Sequence, residues 1–309
     1  MINKFRLVLI AITAISITFS SCKKSTIESD WANEFKTHTD DQSRISAESD
    51  EVFNDANAII DGFGAFNGRV EGLNSVICNA TVVLDSTLTL RRITVTYNGL
   101  NCAGTRSRTG VILLTIPLSQ HWGDVGAVLT ANIQNLAITR VSDNKSIVIN
   151  GTHIITNVTG GRLRDLSTLG TIIHDISSAG MTITFDDGSQ RVWQVAKRRT
   201  FTYNNGIVIS TVGTHTDGAT TGIAEWGSNR FGNAFTAAIT QPMVIRQDCD
   251  FRLVSGQITH QRLVADVVVT FGLDSNGDAS SCPALGSSYY FKLVWTSATG
   301  VVRTFILPY

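Results

Sequence analysis

Arg92-Ile93-Thr94-Val95-Thr96-Tyr97 alternates polar and apolar residues without a break, and Asn98-Gly99 follows at once. In an extended chain successive side chains point to opposite faces. This stretch therefore lays Ile93, Val95 and Tyr97 on one side of a strand and the threonines on the other. Isoleucine, valine, threonine and tyrosine all favour such a half-buried, pleated surface. The same alternation returns at 181–185, 207–211, 263–270 and 290–295. Turn signals recur between such runs: Asn98-Gly99, Asn150-Gly151, Asp186-Asp187-Gly188, Asn204-Asn205-Gly206, Asp217-Gly218 and Asn276-Gly277. Asn-Gly and Asp-Gly accept the positive φ that tight hairpins require. From residue 76 to 309 the pattern predicts about 14 to 16 short strands and no helix. The expected fold is all-β: an antiparallel meander forming a sandwich or barrel-like domain, with one N-terminal helix.

Composition agrees. The chain has 309 residues with 26 glycines and only 4 prolines, a profile of strands and turns. It is 43% hydrophobic, enough for a sizeable core, and 16% charged, which argues against extended disorder. Positive and negative residues number 25 each, so no strongly basic total points to nucleic acid.

Ahead of the strands, 40–61 reads as a helix. Ile45, Val52, Ala56, Ile59 and Phe63 fall on one face, Asp40 or Asp41 can cap it, and Gly62 and Gly64 stop it. Residues 22–75 carry 11 acidic and 5 basic side chains, against 14 acidic and 18 basic in 76–309. The apolar stripe predicts a helix packed on its own β domain with a solvated acidic face. The other reading is an acidic docking helix for a partner. Residues 22–40 lack a clean period and read as a polar tether.

The extreme N-terminus carries an address. Lys4 and Arg6 precede a 13-residue run without charge, LVLIAITAISITF, over 7–19. That length suits a signal-peptide core and falls short of the roughly 20 residues of a membrane span. Ser20-Ser21-Cys22 follows. This arrangement resembles the lipobox of bacterial lipoproteins, with Phe19 where leucine is usual. The resemblance implies that Cys22 is lipidated, that 1–21 is removed, and that the protein is held at a membrane by its lipid. Lys23 and Lys24, with no aspartate after the cysteine, lean to the outer membrane by resemblance to Gram-negative lipoprotein sorting. The expected organisation is signal peptide 1–21, tether 22–40, helix and connector 41–75, and β-rich domain 76–309.

Besides Cys22, four cysteines remain, an even number in an exported chain, which favours disulfides. Four cysteines allow three pairings. Cysteine, hairpin, glycine turn, cysteine occurs twice, as Cys78 to Cys102 and as Cys249 to Cys282. That faint repeat predicts a local bridge within each copy. The alternative is four buried thiols, and the spacings are unlike those of a zinc site. The chain as a whole resembles a group of envelope lipoproteins of the Bacteroidota. The shared features are the Ser-Cys-Lys-Lys start, an acidic helix, a threonine-rich β region, and a cysteine–strand–cysteine unit followed by a basic turn ending in glycine (Asn101 to Gly110), with a second unit from Cys249-Asp250-Phe251-Arg252 to Cys282. The resemblance implies an address and an architecture and brings no activity.

H-E-x-x-H, the P-loop, G-x-S-x-G and C-x-x-C do not occur. His38, His121, His153, His174, His215 and His260 are scattered and read as surface or satisfied strand residues. Asp274-Ser275-Asn276-Gly277-Asp278 places oxygens like the start of a calcium loop, but Ala279 and Leu285 stand where glycine and glutamate are needed. It reads as a hairpin turn. Trp122 and Trp226 lie beside glycines, either folded back on a strand or exposed to stack on a sugar or a protein. Arg91-Arg92, Arg106/Arg108 and Arg198-Arg199 read as solvated strand faces or turns. No catalytic residue, metal or cofactor is predicted. The functional expectation is a non-catalytic binding, adhesive or structural envelope module, with a glycan or protein as possible ligand. The alternative is an envelope hydrolase whose site is assembled from distant strands.

Overall fold

The computed structural model describes residues 24–62, 77–262, 265–282, 287–297 and 300–309. Cys22 lies outside them, as do Phe63 and Gly64. The chain divides into Met1–Glu51 and Val52–Tyr309. Helix α1 (Lys24–Gly62) supplies all that is described of the first unit and opens the second. Its described part runs to Gly62, and the rest of the stop expected at Gly62 and Gly64 lies outside the described residues. It begins 16 residues before Asp40, so most of the stretch read as a tether is helical. The polar His38 and Gln42, both buried, stand where an apolar stripe would continue from Ile45 toward the N-terminus.

The second unit is built on fifteen strands: β1 (Ala80–Leu84), β2 (Leu90–Leu100), β3 (Arg106–Pro117), β4 (Ala127–Arg140), β5 (Ser146–Asn157), β6 (Thr171–Phe185), β7 (Gln190–Tyr203), β8 (Ile207–Gly213), β9 (His215–Asp217), β10 (Thr220–Ser228), β11 (Ala234–Arg246), β12 (Arg252–Arg262), β13 (Ala265–Leu273), β14 (Tyr290–Ser297) and β15 (Val302–Pro308). All pair antiparallel in one barrel-like sheet that follows chain order, as a meander does. The single departure is local. β8 pairs with the C-terminal half of β7, and β10 with its N-terminal half. Both also pair with β11. They therefore share one lane, interrupted by a small hairpin of β9 with the start of β10. Gly213 is required where the lane is left, because a Cβ there would collide with the carbonyl of Gly222.

The alternation of 92–97 appears as drawn. Ile93, Val95 and Tyr97 are buried on the inner face. Their neighbours on that face include Ile112 and Leu114 of β3, Leu129 and Ile133 of β4, and Ile147 and Ile149 of β5. The end of α1 contributes Phe53, Ala56, Ile59 and Ile60, all buried. Each large apolar side chain removed from water here contributes roughly 1.5–3 kcal/mol.

Two of the six turn signals are not turns. Asn98-Gly99 lies inside β2 and Asn150-Gly151 inside β5. Gly151 has φ +131°, at a register shift against β6, and a Cβ on it would sit 2.7 Å from Cα of Met181. There glycine serves close backbone approach and sheet bending. The other four do connect strands: Gly188 and Gly206, for example, close the β6–β7 and β7–β8 hairpins.

Candidate functional site

The four cysteines pair as the repeat predicts. Cys78 precedes β1 and Cys102 follows β2; they are bonded, with Cα atoms 5.2 Å apart. Cys249 precedes β12 and Cys282 follows β13; they are bonded, with Cα atoms 5.3 Å apart. Each bond joins the open ends of one hairpin. Asp248 lies beside the second, but the sulfurs there are committed to each other.

Asp274 is a turn residue. Its Oδ1 accepts from the backbone N–H groups of Asn276 (2.8 Å) and Asp278 (3.1 Å). Those backbone bonds, Asp278 first, hold its carboxyl below the usual aspartate value. Trp226 belongs to a strand, half-buried, with the His215 ring stacked on it at 4.1 Å.

A groove of about 720 Å³ is lined by His121, Asp124, Arg162, Asp165, Thr168 and Leu169, with Gly123 and Gly161. One wall is the loop between β3 and β4. The other is the crossing from β5 to β6, with a 3-10 turn (Leu163–Asp165) and the short helix α2 (Leu166–Leu169). The two walls are stitched by Gly161 N–H donating to the Gly123 carbonyl at 2.9 Å. Beneath them lies Asn157, fully buried, whose Nδ2 donates to the carbonyls of Trp122 and Gly161, both at 2.8 Å. Trp122 is itself fully buried, so its ring supports the floor and is withheld from any ligand.

The groove's polar side chains are part-paired with each other. Arg162 Nε donates to Asp165 Oδ2 at 3.0 Å. Asp124 Oδ2 accepts the His121 backbone N–H at 2.6 Å, closing a turn. The imidazole Nδ1 lies 3.6 Å from the same oxygen, beyond hydrogen-bond length. Asp124 here caps a turn through its bond to the backbone N–H, and its carboxylate stands beside the imidazole without a hydrogen bond to it. The groove thus offers carboxylates, a guanidinium, an imidazole and a hydroxyl on a fixed floor.

Under that floor runs a polar row that the sequence reading missed. Asn157, His174 and Arg199 are register partners across β5, β6 and β7, and all are buried. The His174 ring lies 5.1 Å from Trp122, 5.1 Å from Phe201 and 6.0 Å from Phe53 of α1. Arg199 stacks its guanidinium on the same Phe53 ring at 4.7 Å. Burial pushes the His174 pKa down to about 4, and the Arg199 cation adds to the effect, against Asp175. Among the described residues neither His174 nitrogen has a hydrogen-bond partner. It is therefore not the satisfied strand histidine that its isolation in sequence predicts.

The arginine pairs divide in the same way. Arg198 points outward to Asp175 through two bonds of 2.7 Å, while Arg199 points inward. Arg108 is also buried, donating to Asp55 of α1 at 2.8 Å and to Asn79 at 3.1 Å. Further along, Lys197 and Glu225 form a buried ion pair, with Trp193 Nε1 donating to Glu225 at 3.0 Å. The expectation of solvated arginines fails for Arg108 and Arg199 because alternate strand residues must face inward. No protein-family model matches the chain, and neither a curated protein nor a solved structure matches it.

Proposed function

We propose that this protein is a lipid-anchored lipoprotein of the outer membrane whose β domain is a non-catalytic binding or structural module, and that the groove between His121 and Leu169 is its binding surface. The lipid anchor rests on Lys4, Arg6, the apolar run and Ser20-Ser21-Cys22. The observation that carries the binding reading is the groove's construction. Asn157 fixes both walls from below, and half-exposed polar side chains stand above a rigid floor. A pre-formed concavity with convergent polar groups is the usual form of a ligand site. Asp124 is spent on a backbone N–H, which favours recognition over proton transfer.

The hydrolase reading keeps one observation in its favour: His121, two aspartates and Thr168 line a single concavity. Screening the purified protein against glycan and peptide arrays, and against ester, peptide and glycoside substrates, separates the two. Binding that weakens in Asp165→Ala, with no turnover, is expected. Turnover abolished by His121→Ala would replace the binding reading with the hydrolase.

A further inference from the structure

We infer that His174 is an acid-sensitive latch: its protonation releases the C-terminal turns of α1 from the sheet and, through Trp122, loosens the floor of the groove. The inference concerns the groove's support and stands whether or not the groove takes a ligand.

His174 is fully buried at the meeting point of four elements. Phe53 reaches it from α1, Trp122 from the β3–β4 loop, Asn157 from β5, and Phe201 with Arg199 from β7. A neutral imidazole is tolerated among aromatic rings. An imidazolium is not: it would be a desolvated charge with Arg199 as its register partner. The charged and titratable groups around it can be named. Arg199 is a cation and faces the same side. Asp175 is the next residue on β6, engaged by Arg198 on the outer face. Asp55, two residues beyond Phe53, is held by Arg108 and Tyr97. His121 and Asp124 flank Trp122 from the exposed wall. Burial lowers the pKa of His174 to about 4, which places the response in acid and keeps the latch closed at neutrality.

The coupling to the groove is geometric. Trp122 packs against His174 on one side and gives its carbonyl to Asn157. Trp122 Nε1 and Asn157 Oδ1 have no hydrogen-bond partner among the described residues, so the two bonds of Asn157 Nδ2, to the Trp122 and Gly161 carbonyls, are what a shift of the Trp122 ring would strain. Phe53 carries both His174 and Arg199 against its ring, so a second cation there weakens the seat of α1.

The test is hydrogen exchange by mass spectrometry on the full-length chain in detergent, from about pH 7 to about pH 4, corrected for intrinsic exchange. Protection over 52–60 and 121–126 is expected to fall by about tenfold or more in acid, while 127–140 stays protected. His174→Phe is expected to abolish the fall. Should that variant fold poorly, His174→Gln, neutral throughout, serves in its place, and NMR of the wild-type His174 ring gives an independent readout. An unchanged fall in either variant, simultaneous opening of 127–140, or a His174 ring titrating near the ordinary histidine value would overturn the inference.

Discussion

Asp55 of α1 and Arg108 of β3 are joined by a 2.8 Å hydrogen-bonded ion pair in which the arginine side chain is 5% exposed and the aspartate 19%. Tyr97 OH donates to the same carboxylate oxygen at 2.8 Å, and the Arg108 guanidinium lies over the Tyr97 ring at 4.6 Å. One carboxylate thus ties the helix end to two adjacent strands. Removing one partner strands the other's charge in a buried place. Arg108→Leu is predicted to destabilise the second unit by about 3 kcal/mol. Asp55→Asn with Arg108→Leu together is predicted to cost clearly less than the sum of the singles. Urea unfolding of the four proteins of this cycle measures it; strict additivity would mean that the pair does not hold the helix.

Cys78–Cys102 and Cys249–Cys282 span 24 and 33 residues of chain. In the chain-entropy account each closure contributes about 3.5 kcal/mol. Replacing both cysteines of either pair by alanine is predicted to lower the unfolding free energy by about that amount. Non-reducing peptide mapping is predicted to yield these two links. A Cys78–Cys282 peptide would contradict the pairing.

His174 makes stability depend on pH with a definite sign. Its pKa falls from 6.5 to about 4 on folding, so between those values the unfolded chain binds more protons than the folded one. Stability therefore declines as pH drops through that window, by about 3 kcal/mol in total. His174→Phe is predicted to flatten this part of the profile. Denaturant titrations at several pH values check it, and a profile equally steep in the variant would assign the acid sensitivity elsewhere.

Gly151 is predicted to resist substitution although it lies in a strand. At φ +131°, and with Met181 Cα 2.7 Å from where a Cβ would stand, Gly151→Ala is expected to destabilise by about 2 kcal/mol. Gly104, also at positive φ but with open space around it, is expected to lose less on the same change. Thermal unfolding of both variants compares them.

What could be read from sequence followed from period. Ile93, Val95 and Tyr97 were assigned to a buried face by alternation alone, and they are buried. The meander followed from the density of strands and turns, and the disulfides from a faint repeat. The inward charges were harder, yet a signal existed. Arg198 and Arg199 are consecutive in a strand, so one of them must face inward whatever its charge. The helix start was hidden because His38 and Gln42 break the apolar stripe. The groove was hidden because its walls, at 121–124 and 161–169, are brought together by the pairing of β4 with β5, the Gly161–Gly123 backbone bond and the reach of Asn157.

We propose a β module held at the membrane by a lipid on Cys22. Metabolic labelling of cells with an alkynyl fatty acid, followed by capture of this chain, tests it most directly. The wild type is predicted to carry the label and fractionate with the outer membrane, while Cys22→Ala carries none. Equal labelling of the two, or an unlabelled wild type, would contradict it.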